Sequence, residues 1–148
     1  VARFERLPEH ARQKVKPMTG SLVYRDTRLT GLDAAVCVEV IEHLDPERVD
    51  AMERALFGAA RPRVVVVTTP NADYNALFPS LRRGTFRHTD HRFEWTRAEF
   101  EAWARGVGSR RGYAVRMEPV GDVDAALGAP TQAAVFERGV AGENGASR

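Results

Sequence analysis

Two uninterrupted apolar runs, "LDAAVCVEV" (32–40) and "RVVVVTTP" (63–70), dominate the hydropathy pattern of the chain. Both are short, rich in β-branched residues and closed by polar or turn-forming positions, which predicts buried strands. Between them, Asp45 before Pro46 marks a helix start. Val49, Met52, Leu56 and Ala59 then recur on one face until Arg61-Pro62 stops the helix. "SLVYRD" (21–26) alternates as a short strand does. "TRAEFEAWARGVGSR" opens on a capping box, Thr96 with Glu99 three residues on, and carries Phe100, Trp103 and Val107 on a common face. "YAVRMEPVG" and "TQAAVFERG" read as two closing strands.

The segment between the second strand and the capped helix, "NADYNALFPSLRRGTFRHTDHRFEW", has mixed periodicity and glycine and proline breaks, and it reads as a long functional loop. Residues 1–20 are polar, interrupted by Pro8 and Pro17, and read as a connecting segment. Residues 21–139 form the domain, and 140–148, "VAGENGASR", a disordered tail. This order predicts an α/β fold: a mostly parallel sheet with helices on its faces, finished by a pair of strands open to antiparallel pairing. Such sheets bind ligands beyond the C-terminal ends of their strands. Glu39 and Thr69-Pro70-Asn71 lie at two such ends.

At 148 residues the chain is the size of one domain. Its 43 % hydrophobic and 28 % charged residues fit a globular protein. No apolar run reaches the length of a membrane span and no export signal is visible, so no membrane is expected and a cytoplasmic location is the default. Cys37, the only cysteine, excludes an internal disulfide and reads as a small core residue. The net charge of +2 is too small to indicate nucleic-acid binding. The basic residues, however, are arginines apart from Lys14 and Lys16. That suits phosphate recognition, and it equally suits a GC-rich genome.

The chemistry concentrates where the first strand ends. Glu39, Glu42 and His43 fall within five positions, and two carboxylates with an imidazole suit a hard or borderline divalent ion such as Mg²⁺ or Mn²⁺. A fourth ligand must come from elsewhere; His88 and His91, on the loop after the neighbouring strand, are within reach. The same spacing also suits acidic residues gathered at a helix N-terminus. A metallohydrolase resembling the inverted zinc motif H-x-x-E-H ranks lower, because its first position here is Glu39.

Taken in order, "GSLVYRD", "EVIEHL", "VVVVTTPNADYN" and "RHTDHRFEWTRAEF" closely resemble the catalytic domain of the small-RNA 3′-terminal ribose 2′-O-methyltransferases, the HEN methyltransferase family, and above all its bacterial RNA-repair branch. The resemblance covers residues 20 to about 138. It implies a Rossmann-like fold, S-adenosylmethionine as methyl donor and a divalent ion, Mn²⁺ or Mg²⁺, held by Glu39, Glu42, His43 and His91. The ion would engage the 2′- and 3′-hydroxyls of the terminal ribose, and His43 is the first choice as base for the 2′-hydroxyl. Thr69, Pro70 and Asn71 would shape the floor under the terminal nucleotide. Arg82, Arg83, Arg87 and Arg92 would meet the terminal phosphates, and Ser21, with Asp26 a weaker candidate, would lie near the adenosine of the donor. Phe93 and Trp95 are candidates for base stacking, with a core role favoured. The implied partners are RNA with a free 2′,3′-hydroxyl end and a polynucleotide kinase-phosphatase-ligase.

One departure stands out. The family's glycine-rich donor turn should precede residue 20, and no G-x-G occurs there. The chain is therefore expected to be the second half of a methyltransferase domain, the metal and RNA-end half, with its first strands lacking. A non-catalytic module that binds an RNA end or a partner is the alternative.

Overall fold

The computed structural model describes residues 6, 8–82 and 84–139. A four-residue helix, α1 (Glu9–Arg12), lies in the connecting segment and buries none of its residues. The domain proper is a four-stranded sheet with two helices and several short turns of 3₁₀ helix.

The first strand, β1 (Ala34–Val38), is shorter than its apolar run, and only one of its faces is covered: Cys37 is buried, whereas Val36 and Val38 are 64% and 58% exposed. Burial pushes the Cys37 thiol pKa up, as suits an inert core residue. After a 3₁₀ turn at Pro46–Arg48, helix α2 (Val49–Glu53) continues as a wider π-type segment through Arg54–Ala60. Asp45 holds the expected N-cap backbone position, but its side chain makes no capping bond. Val49, Met52 and Leu56 are buried as their spacing predicts, joined by Phe57, and Arg61 ends the helix in the left-handed region.

Strand β2 (Val64–Pro70) pairs in parallel with β1, placing Val38 beside Thr68. Helix α3 (Arg97–Arg111) starts with both hydrogen bonds of the Thr96/Glu99 capping box and ends at Gly112 in the left-handed conformation. It buries Phe100, Ala104 and Val107, with Trp103 packed against the same core. Strands β3 (Tyr113–Val120) and β4 (Thr131–Arg138) form an antiparallel pair.

The sheet order is β1-β2-β4-β3, and β4 enters antiparallel between β2 and β3. Among the described residues only the β1–β2 pairing is parallel, so the expectation of a mostly parallel sheet is corrected. "SLVYRD" is corrected too. It forms turns that lead into a 3₁₀ segment at Thr27–Leu29, where Asp26 accepts from the Arg28 backbone N–H and pairs with its guanidinium. The alternation is present, but the segment pairs with no strand among the described residues. The tail at 140–148 lies outside the described residues. No helix is long and apolar enough to cross a membrane.

Candidate metal centre

At the end of β1 the chain leaves the sheet through Glu39, a non-glycine residue at φ 51°. That conformation is uncommon for a side chain with a Cβ. Here it is held by the Glu39 N–H, which donates to the Thr68 carbonyl at 3.3 Å and to its hydroxyl at 3.1 Å. The chain then tightens into a 3₁₀ turn at Ile41–His43. Ile41 plugs the core and Glu42 is fully buried, while His43 stays exposed. The geometry differs from the inverted zinc motif, because Glu39 stands outside this turn.

The end of β2 anchors both carboxylates. Thr68 donates to Glu39 Oε1 at 3.1 Å and Thr69 to Glu42 Oε2 at 3.0 Å. Successive strand residues point to opposite faces, so adjacent threonines can serve different partners. Pro70 and Asn71 complete the brace. Pro70 is fully buried, and Asn71 donates its amide to the carbonyls of Leu127 and Ala129, both at 2.8 Å.

The long loop delivers the next component. After a 3₁₀ stretch at Ala72–Leu77 it runs irregularly to Trp95, and the Arg92 N–H donates to the Glu42 carbonyl at 2.7 Å. That bond sets His91 against the turn, its ring centre 4.8 Å from that of His43 and nearly perpendicular to it. Glu42, His43 and His91 each present a ligand atom within 4.8 Å of the others.

Glu42 Oε1 is buried and has no hydrogen-bond partner among the described residues. His43 Nε2 lies 4.0 Å from it. An ionised oxygen buried without a donor is costly, and a cation between this oxygen and the two imidazoles would satisfy it. Glu39 lies outside the three-residue group. Burial pushes its carboxyl pKa up, and the nearby Glu42 carboxylate adds to the rise, against the Thr68 hydrogen bond and the charges of Arg87 and His91. This donor set fits a divalent ion of the hard or borderline class.

The remaining predicted residues divide. Arg87 turns inward: its Nε donates to Asn75 at 2.5 Å, and its terminal nitrogens donate to the carbonyls of Pro130 and Asn71. It cross-links the loop to the ends of β2 and β4, and so is not presented as an open phosphate contact. Arg92, 60% exposed, and Arg82 face solvent, and Arg83 lies outside the described residues. Phe93 and Trp95 lie with ring centres 4.6 Å apart, tilted by 38°, and pack against the core, the role favoured for them from sequence. His88 is exposed and bonded to Asp90, and His10 sits on α1. Ser21 is exposed and caps its own turn, accepting from the Val23 N–H at 3.4 Å.

Sequence reasoning missed Asp90 and Glu94. Asp90 lies 3.4 Å from His43 Nδ1, and Glu94 lies 2.6 Å from His91 Nδ1. The available signal was a carboxylate one and three residues from a candidate ligand.

No protein-family model matches the chain. It is 43% identical over 122 residues to a small RNA 2′-O-methyltransferase of Rattus norvegicus, an alignment covering 80% of this chain and 30% of that relative's length. The methyltransferase domain of bacterial CtHen1 superposes with a TM-score of 0.77 at 47% identity, over 91% of this chain and 68% of that one. A chain of the Pnkp1/Rnl/Hen1 RNA repair complex superposes with a TM-score of 0.57 at 25% identity, over 78% of this chain and 24% of that one. On this likeness in sequence and fold, the chain belongs to the small RNA 2′-O-methyltransferase (Hen1) family.

Proposed function

We propose that the chain supplies the metal and RNA-end half of an S-adenosylmethionine-dependent methyltransferase that modifies the 2′-hydroxyl of a 3′-terminal ribose. The observation that carries this reading is the buried, partnerless Glu42 Oε1 set between His43 and His91. Glu42 and His91 would hold Mn²⁺ or Mg²⁺ together with Glu39, and His43 would be at most a weak ligand, giving up that role when it acts as base at Nε2. When bound, such an ion lowers the pKa of a coordinated hydroxyl and fixes its orientation.

The chain's own residues account for the rest. His43 is the most exposed member of the cluster, with its side chain 37% accessible, and Asp90 faces its Nδ1. That places it to take the 2′-hydroxyl proton at Nε2 while Asp90 stabilises the imidazolium. Thr69, Pro70 and Asn71 support the floor from beneath: Thr69 orients Glu42, and Asn71 ties down the 127–129 loop. Arg92 and Arg82, free of buried partners, are the cations assigned to the terminal phosphates. Arg87 holds the loop that carries them. Ser21 is the residue assigned to the methyl donor.

Likeness to the RNA repair complex supports a role beside a kinase-phosphatase-ligase, marking a broken end before it is resealed. The test, with the chain joined to a donor-binding half of the same family, is transfer of labelled methyl from S-adenosylmethionine to RNA ending in free 2′,3′-hydroxyls, with and without Mn²⁺, against the same RNA ending in a 3′-phosphate. Mn²⁺-dependent, 2′-O-specific labelling of the free end alone is expected. Equal labelling of both ends, or labelling that survives chelation, would overturn the reading. So would a chain that binds neither Mn²⁺ nor the RNA end.

A further inference from the structure

Two histidines face Glu42, but they are held very differently. His43 is exposed and its Nδ1 lies 3.4 Å from Asp90, a carboxylate itself 60% exposed and shared with His88. The side chain of His91 is only 9% exposed, and its Nδ1 lies 2.6 Å from Oε1 of Glu94, whose side chain is 1% exposed.

Glu94 sits where donors converge. Its Oε1 also accepts the Arg87 backbone N–H at 2.7 Å, and its Oε2 accepts the Asn75 amide at 2.6 Å. The Asn75 amide is itself oriented, because its oxygen accepts from Arg87 Nε at 2.5 Å and its nitrogen must therefore point at Glu94. An ionised carboxylate accepts from every side, whereas a glutamine would turn an N–H against one of these donors.

We propose that Glu94 is the positioning residue of the centre: it holds His91 in the Nδ1–H tautomer, so that Nε2 presents a lone pair toward Glu42 Oε1 and the ion. The inference rests on the metal reading above and goes beyond it. A neutral imidazole has one N–H, and placing it on Nδ1 leaves Nε2 as the ligand atom. Carboxylates behind ligand histidines fix the tautomer and ring orientation in this way. The same network links the ligand to Arg87, which donates to the carbonyls of Asn71 and Pro130 and so ties the loop to the ends of β2 and β4. His91 is thereby the rigid member of the pair, and His43, with its looser exposed partner, is the member free to move protons.

The experiment uses the metal-free chain with ¹⁵N-labelled histidine, at a pH where the imidazoles are neutral. Long-range ¹H–¹⁵N spectra report which nitrogen of His91 carries the proton, and electron paramagnetic resonance then follows a Mn²⁺ titration. Wild type is expected to show His91 protonated at Nδ1. Glu94→Gln should lose that signature and bind Mn²⁺ about 10- to 100-fold more weakly. Asn75→Ala, which removes one donor but leaves the carboxylate on His91, should keep the tautomer and most of the affinity.

His91 protonated at Nε2 in wild type overturns the proposal whatever the variants do. So does a folded Glu94→Gln protein with wild-type Mn²⁺ affinity. If Glu94→Gln loses its spectral dispersion altogether, the wild-type tautomer and Asn75→Ala decide. A wild-type chain that shows the Nδ1–H tautomer yet binds no Mn²⁺ would sink the metal reading while upholding the grip of Glu94 on His91.

Discussion

Thr69 and Glu42 are joined by a buried hydrogen bond, hydroxyl to Oε2 at 3.0 Å, while the other oxygen of the same carboxylate has no donor. The asymmetry is built by the fold. β2 ends beside the 3₁₀ turn, so its last threonine orients the carboxylate from behind and the open oxygen faces the two imidazoles. A site that binds a cation must keep such an oxygen free, at a cost in stability when the cation is missing.

That cost is measurable in Glu42→Gln. Neutralising a buried, half-satisfied carboxylate is expected to raise the stability of the metal-free chain by about 1–2 kcal/mol and to abolish the Mn²⁺ site. In wild type, Mn²⁺ at a hundred times its dissociation constant should add about 2.7 kcal/mol of stability. Thermal melts with and without Mn²⁺ read both effects. A variant no more stable than wild type, and still protected by Mn²⁺, would show that Glu42 is satisfied in some other way.

Thr69→Val separates orientation from charge. The isosteric methyl cannot donate, so both carboxylate oxygens become orphans and the metal-free protein should lose about 1–3 kcal/mol. With Mn²⁺ bound, part of the loss should return. Urea unfolding at several Mn²⁺ concentrations measures this, and a loss that no amount of Mn²⁺ reduces would assign Thr69 to the fold alone.

Much of this was legible before any coordinates, and the exceptions share a cause. The Thr96/Glu99 capping box, the Val64–Pro70 strand and the Glu39–His43 cluster are local patterns, carried by residues a few positions apart. The insertion of β4 between β2 and β3 is not local, because nothing within "TQAAVFERG" states which strand it will pair with. Glu94 was hidden for the same reason: within "RFEW" it looks like a polar break between aromatics. Its role comes from Arg87 and Asn75, seven and nineteen residues away. "SLVYRD" failed in the opposite sense, since it has the alternation of a strand but no partner strand among the described residues.

Gly108 in α3 is another position that the helical pattern alone misreads. A Cβ there would lie 2.5 Å from Val115 Cγ2 and 2.7 Å from the Tyr113 carbonyl. Gly108→Ala should therefore destabilise, by about 1–3 kcal/mol, even though alanine is the better helix former. An unchanged or raised melting temperature would mean that α3 shifts away from β3 without penalty.

Acid stability should depend on Glu53. This side chain is 4% exposed and accepts from Arg110 and Arg111 at the end of α3, joining α2 to α3. Burial pushes its carboxyl up, but the two arginine hydrogen bonds outweigh it and hold the pKa below the ordinary glutamate value. A folded pKa below the unfolded one means that the unfolded chain binds more protons, so stability rises with pH across this range. The contribution is complete above about pH 4.3, the unfolded value, and is lost as pH falls through the folded one. Glu53→Gln should lower stability at neutral pH and flatten the acid limb of a stability–pH curve, and curves that stay parallel would rule the linkage out.

The outer edge of β1 yields the last prediction. Among the described residues β1 is paired only with β2, and Val36, Val38 and Leu32 stand 64%, 58% and 49% exposed beside its open backbone. An uncovered apolar edge is a template for strand pairing with another chain. Sedimentation of this 148-residue chain should show concentration-dependent association. Val36→Lys should suppress it, since a charge on an edge strand opposes pairing, and should leave Mn²⁺ binding unchanged because Val36 lies at the middle of the strand, away from the Glu39–His43 turn. A wild-type chain that stays monomeric at every concentration would mean that this edge is already protected. Association undiminished in Val36→Lys would move the contact to another face.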